Sequence, residues 1–172
     1  MGRASELLLM SSPQFRMSAK TPISRASSLI GGANVYLLDT DVVSELRKGE
    51  SANRGVREFF EKAGRDSADL YLSAITIGEI RQGVERIRHR GDAPQAKRLE
   101  RWLGQVTGAY AQAILSFDEE CAQVWGRLRA PNPENPLDKQ IAATALIYGL
   151  IVVTRNTAHY APTGVQLLNP FV

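Results

Sequence analysis

Tyr36-Leu37-Leu38-Asp39-Thr40-Asp41-Val42-Val43-Ser44-Glu45-Leu46 is the stretch from which the rest of the chain is read. An apolar run from Val35 stops abruptly at Asp39, a second acid follows at Asp41, and helix-compatible sequence comes next. Four consecutive apolar residues ending this way predict a short buried strand at the centre of a parallel sheet. Thr40 or Asp41 can cap the helix that follows. Open α/β sheets bind their ligands at the carboxyl ends of their strands, which is where Asp39 falls.

The same alternation continues downstream. Val56, Phe59, Phe60 and Ala63 predict a helix over 53–64 with one apolar face. Residues 70–72 form a short strand, and Ile77, Ile80, Val84 and Ile87 mark a helix over 76–88. Leu99, Trp102, Leu103 and Val106 give the next amphipathic helix, followed by a third strand over 113–117. Cys121, Val124, Trp125 and Leu128 recur at helical spacing, and the proline-rich residues 131–136 form a loop. Asp138 then opens a helix packed through Ile141, Ala142 and Ala145 and ended by Gly149. Residues 150–153 form a fully apolar strand that releases Thr154-Arg155-Asn156, and residues 165–168 form a last short strand. Strands alternating with helices mean an α/β fold with a mostly parallel, twisted sheet of four or five short strands flanked by helices. One domain is expected over 35–172.

Bulk properties narrow the function classes. The 172 residues are 44% hydrophobic, enough for one ordinary core. A single cysteine, Cys121, excludes an internal disulfide and fits a reducing, cytoplasmic compartment. No apolar run approaches the roughly 20 residues of a membrane span. The net charge of +3 lies wholly in residues 1–34, where Arg3, Arg16, Lys20 and Arg25 face Glu6 alone; the remainder holds 17 basic and 17 acidic residues. Residues 1–34 have the basic, acid-poor composition of a transit peptide, but the preferred reading is a disordered leader or a start site placed upstream of the native one. Intact mass of the natively expressed protein decides it.

Polar residues gather around the predicted sheet. Asp39 follows the first strand, Ser73 and Glu79 the second, and Asn156 the apolar strand near the end, while Asp138 opens the helix leading into that strand. Crowded carboxylates repel and raise one another's pKa, and a divalent cation relieves the repulsion. Magnesium prefers a few carboxylate oxygens plus water, and can activate water beside a phosphate. Each acid also has a plainer explanation. Asp39 and Asp41 can cap a helix, Thr76 and Glu79 match a capping box, and Asp138 suits a helix dipole. Asp118, Glu119 and Glu120 read as a solvated helix start, Trp102, Trp125 and Tyr148 as core, and His89 and His159 as isolated. Arg81, Arg86, Arg88, His89, Arg90, Lys97, Arg98 and Arg101 divide evenly between a solvated face and a phosphate-binding surface.

Residues 37–46 resemble the opening motif of PIN-domain ribonucleases, in particular the VapC-type toxins of bacterial toxin–antitoxin pairs. Residues 72–80 are similar to the family's second motif, residues 138–145 to its third, and Val153-Thr154-Arg155-Asn156 with Asn169-Pro170-Phe171 to its end. The ordered set covers roughly residues 35–172. The resemblance implies magnesium- or manganese-dependent hydrolysis of RNA phosphodiesters, with Asp39, Glu79 and Asp138 as metal-binding acids and Asn156 as the polar residue after the last core strand. Thr40 and Ser44 support the first acid. It further implies a small antitoxin that covers the acidic cleft, and a homodimer. Two positions depart from the pattern. Asp41 stands where relatives often have Asn, and His159 stands where relatives frequently place another acid; three acids suffice for one ion.

A competing reading takes Asp39-Thr40-Asp41-Val42-Val43 as the opening of a haloacid-dehalogenase-like phosphatase, with Asp39 as nucleophile and Asp41 as general acid. That fold needs a further acid pair after a late strand, where this chain has Thr154-Arg155-Asn156. A third is a non-catalytic interaction module whose acids merely cap helices.

Overall fold

Strand β1 (Val35–Leu38) is hydrogen-bonded on both sides, to β2 (Asp69–Ser73) and to β4 (Ile151–Val153). Adding β3 (Ile114–Leu115) beside β2 and β5 (Leu167–Leu168) beside β4 gives the order β3-β2-β1-β4-β5, with every pairing parallel. This is a computed structural model, and it describes residues 35–172; the expectation for residues 1–34 lies outside the described residues.

Helices cover both faces. Successive strand residues point to opposite sides, and the core divides accordingly. Tyr36, Leu38, Leu70, Leu72 and Val153 face one cluster. It is closed by Val42 and Val43 of α1 (Thr40–Leu46), Val56 and Phe60 of α2 (Arg54–Arg65), Ile80 of α3 (Ala74–His89), and Leu103 and Val106 of α4 (Ala93–Ala109). Leu37, Tyr71 and Val152 face the other, against Ile141, Ala142 and Ala145 of α6 (Pro136–Tyr148). Leu128 of α5 (Glu119–Arg129) and Tyr160 of α7 (Thr157–Tyr160) complete that layer. Leu37 and Leu38 are both fully buried, which explains the unbroken apolar run; each contributes about 2 kcal/mol by leaving water.

Local chemistry sets the boundaries. Asn53 caps α2 by accepting Val56 N–H at 3.2 Å, so that helix starts one residue later than its apolar periodicity indicates. Ser73 caps α3 and accepts Ile75 N–H at 3.1 Å. The helix therefore begins at Ala74, and the capping box read at Thr76 and Glu79 does not form. Helix α6 begins at Pro136, where a fixed φ suits the first turn, so Asp138 lies inside that turn rather than before it. Gly149 ends α6 at φ 64°, a conformation that suits residues without a Cβ. Among the described residues no helix is long and apolar enough to cross a membrane.

Candidate functional site

Because β2, β1 and β4 are adjacent and parallel, their carboxyl ends open on one side, and each delivers polar residues there. Asp39 leaves β1, Glu79 projects from the second turn of α3 after β2, and Thr154 and Asn156 follow β4. Asp138 arrives from the first turn of α6.

Asp39 is only 3% exposed. One carboxylate oxygen accepts Thr40 N–H at 2.7 Å and the other accepts the Thr154 hydroxyl at 2.7 Å. Burial pushes its carboxyl up to about 7; Thr154 and the Thr40 amide pull it down, and nearby Asp41 and Asp138 push it up. Asp39 thus caps α1, as its plain reading has it, and lies close enough to Asp41 and Asp138 to feel their charge.

Thr40 links two of the acids. Its amide serves Asp39, while its hydroxyl donates to Glu79 Oε2 at 2.5 Å. Glu79 is held above the usual carboxylate range by burial, against the Thr40 hydrogen bond, with Asp138 and Asp41 adding repulsion. Asp41 is likewise raised by burial, opposed by the backbone N–H groups of Arg155 and Val42, with Asp138 again adding repulsion. Asp39, Glu79 and Asp41 therefore each lie close enough to Asp138 to feel its charge.

His159 is not isolated. Its Nδ1 lies within hydrogen-bond distance of Asp138 Oδ2, at 2.7 Å. Asn156 is exposed; its backbone N–H donates to Thr154 Oγ1 at 3.0 Å, and its side chain makes no capping hydrogen bond. Ser44 sits half-buried on α1, one turn beyond Thr40, and among the described residues no hydrogen bond ties it to the acids. Two participants carry no role of their own in the sequence reading: Thr154, noted only as leaving the apolar strand, and Tyr160, which no motif singles out. Tyr160 is fully buried, its hydroxyl has no hydrogen-bond partner among the described residues, and it faces Asp39. Burial, then Asp39 and Asp138, hold that phenol well above its usual pKa.

The donors suit a hard divalent cation such as magnesium or manganese. They are carboxylate oxygens, and burial, with a lesser contribution from neighbouring acids, opposes ionisation of Asp39, Asp41 and Glu79; a carboxylate oxygen with one hydrogen bond keeps a second lone pair. Asp41 Oδ1 is a buried carboxylate oxygen without a hydrogen-bond partner among the described residues. The acids are near neighbours and not a finished shell: among the described residues no group of three His, Cys, Asp or Glu side chains is arranged to hold an ion.

The basic stretch resolves in part. Arg81 pairs with Glu100 at 2.7 Å and Glu85 at 3.4 Å, and Arg88 pairs with Glu100 at 2.9 Å and with Glu85. These two arginines are occupied in an exposed network between α3 and α4, as a solvated face requires.

A family model described as the PIN domain matches residues 36–164. The chain is 33% identical over 146 residues to the VapC ribonuclease Y4jK of Sinorhizobium fredii, an alignment covering 80% of this chain and 98% of that protein. Toxin FitB of Neisseria gonorrhoeae is also 33% identical over 146 residues, covering 80% of this chain and 99% of that protein. The crystal structure of FitAcB from Neisseria gonorrhoeae superposes with a TM-score of 0.66 at 32% identity, covering 79% of this chain and 98% of that one. The phosphatase reading gains nothing from these likenesses, and Asp41, its general acid, is engaged by Arg155 N–H at 3.0 Å. Five parallel strands in this order, polar side chains beyond the carboxyl ends of the three central strands, and a family match over most of the length agree: the chain belongs to the PIN-domain family.

Proposed function

We propose that the chain is a metal-dependent endoribonuclease, a hydrolase of RNA phosphodiester bonds, acting as the toxin of a toxin–antitoxin pair. The observation that carries this reading is that Asp39 and Glu79, from two separate elements, both lie close enough to Asp138, on a third, to feel its charge. The relatives named ribonuclease and toxin support the substrate class and the biological role.

In this reading Asp39, Glu79 and Asp138 hold magnesium, or manganese in its place. When bound, the ion supplies charge for a phosphate oxygen and lowers the pKa of water. The chain's residues do the positioning. Thr154 and the Thr40 amide fix the Asp39 carboxylate, and the Thr40 hydroxyl fixes Glu79. Ser44 stands behind Thr40 on the same helix. Asn156, exposed at the end of β4, offers its amide to a water or a phosphate oxygen. Water attacks phosphorus in line, one P–O bond breaks, and the leaving oxygen takes a proton. The protein works in the cytoplasm as a homodimer, with a small antitoxin segment covering the acidic cleft.

The test is incubation of the whole chain with total RNA, with magnesium or with chelator, beside Asp39→Asn. Cleavage that requires both magnesium and Asp39 is expected. Full metal-dependent cleavage by Asp39→Asn would refute the assignment, and hydrolysis of a generic phosphate ester without RNA cleavage would favour the phosphatase.

A further inference from the structure

Arg155 follows Thr154 at the carboxyl end of β4, and its backbone is fixed there. Thr154 donates its hydroxyl to Asp39 Oδ2 at 2.7 Å, Arg155 N–H donates to Asp41 Oδ2 at 3.0 Å, and Asn156 N–H donates to Thr154 Oγ1 at 3.0 Å. Direct hydrogen bonds therefore seat Arg155 beside the two acids that follow β1.

Its side chain is braced and yet open. The guanidinium carbon lies 4.9 Å from the centroid of the Phe171 ring, a cation–π contact. Nε stands 4.0 Å from Asp41 Oδ2, beyond hydrogen-bond reach. Among the described residues no carboxylate pairs with its Nη nitrogens, and the side chain is 61% exposed. Arg81 and Arg88 differ, because Glu85 and Glu100 occupy both. Phe171 is a firm brace. Its N–H donates to Asn169 Oδ1 at 2.9 Å, and it packs against the core cluster that holds Tyr36 and Phe60. The neighbouring Pro170 carbonyl lies so close to Gly55 that a Cβ there would come within 2.1 Å of its oxygen. The C-terminal segment is thus packed on α2 and carries Phe171 to the guanidinium.

Carboxylates repel a polyanion, so a cleft that holds acids needs fixed positive charge where a nucleic-acid strand passes. An arginine held in place, with no acid on its Nη nitrogens, offers that charge. Its planar fork matches two phosphate oxygens, and the bracing lowers the entropy lost on binding. We propose that the Arg155 guanidinium, held against Phe171, binds a backbone phosphate of the RNA and so positions the strand beside Asp39. This rests on the ribonuclease reading above and adds a substrate-binding residue to it.

The probe is a fluorescein-labelled single-stranded RNA carrying a sequence that the wild type cleaves in total RNA. Anisotropy in chelator, over a range of KCl concentrations, follows binding by the whole chain, and cleavage in magnesium gives KM and kcat. Arg155→Gln keeps the backbone N–H for Asp41 and removes the charge. It should weaken RNA binding and raise KM roughly tenfold, the worth of one hydrogen bond to a charged group, with a smaller change in kcat. The slope of log affinity against log salt should shrink by about 0.7, the share of one phosphate in a single strand. Arg155→Lys keeps the charge and should restore the slope. If Arg155→Gln matches the wild type in KM and in salt slope while the wild type cleaves, this inference fails and the ribonuclease reading survives. A loss confined to kcat, or equal slopes for Arg155→Gln and Arg155→Lys, would also overturn it. If the wild type cleaves no RNA, both fail.

Discussion

The Thr154 hydroxyl donates to Asp39 Oδ2 at 2.7 Å, joining two buried side chains that leave neighbouring strands and lie 115 positions apart in the chain. Asp39 N–H in turn donates to Val153 O at 3.0 Å, so β1 and β4 are tied together at the point where the acid emerges. The position of the carboxylate is thus a property of the sheet and not of a loop.

Thr154→Val keeps the shape and removes the donor. It leaves Asp39 Oδ2 and the Asn156 amide without a partner, so stability should fall by about 1–3 kcal/mol. Thr154→Ser should recover most of that loss. Urea unfolding of the two variants beside wild type measures it, and equal losses for Val and Ser would show that the methyl, not the hydroxyl, matters.

Stability of the metal-free protein should depend on pH in a particular direction. Asp39 ionises near 7 in the fold, against an ordinary value of 3.8. Between those values the folded state holds a proton that the unfolded chain has lost, so stability falls as pH rises through the window, by up to about 1.4 kcal/mol per pH unit. Glu79 and Asp41 are raised as well and act with the same sign. Chemical denaturation in chelator from pH 5 to 8 should show the fall, and Asp39→Asn should flatten it. A wild-type profile that rises over this range would contradict the assigned environment.

Thr40→Val should impair function more than folding. It spares the amide that serves Asp39 but frees Glu79 from its 2.5 Å hydrogen bond. Loss of a residue that orients a metal ligand costs roughly 10- to 100-fold, so magnesium-dependent RNA cleavage should drop by that factor while the melting temperature shifts little. Thr40→Ser should be close to wild type in both, with steady-state kinetics and melting curves as the readouts.

Two glycines should respond in opposite directions. A Cβ at Gly55, in the first turn of α2, would sit 2.1 Å from the carbonyl oxygen of Pro170, so the C-terminal segment must move. Gly55→Ala should cost about 1–3 kcal/mol or more. Gly104 lies inside α4 with open space around it, and Gly104→Ala should gain about 0.5–1 kcal/mol. Thermal melts of both variants check the pair.

Much of this was readable from residue order. Leu37 and Leu38 had to be central because nothing polar interrupts them, and acids at the strand ends implied a common opening. What escaped has physical reasons. The capping box at Thr76 and Glu79 matched by pattern, but Ser73, placed by the β2 register, reached Ile75 N–H first. His159 looked solitary because Asp138, its partner, is 21 residues away on another helix. Thr154 and Tyr160 belong to residue types that are ordinarily structural, and only the meeting of β1, β4 and α7 turns their hydroxyls toward Asp39. Lys139 is almost fully buried beside Asp138, with its ammonium donating to Glu134 O, and nothing in the local pattern announces that.

The account is tested most directly by the magnesium-dependent cleavage rate of a labelled RNA for Asp39→Asn, Glu79→Gln, Asp138→Asn and the triple variant, each with its fold verified by circular dichroism. Groups that act as one unit give strongly non-additive losses. Each single change should therefore lower the rate at least about a hundredfold, and the triple should be little worse than the worst single. Singles that cleave at wild-type rates, or losses that simply multiply in the triple, would mean that the three acids do not share one ion.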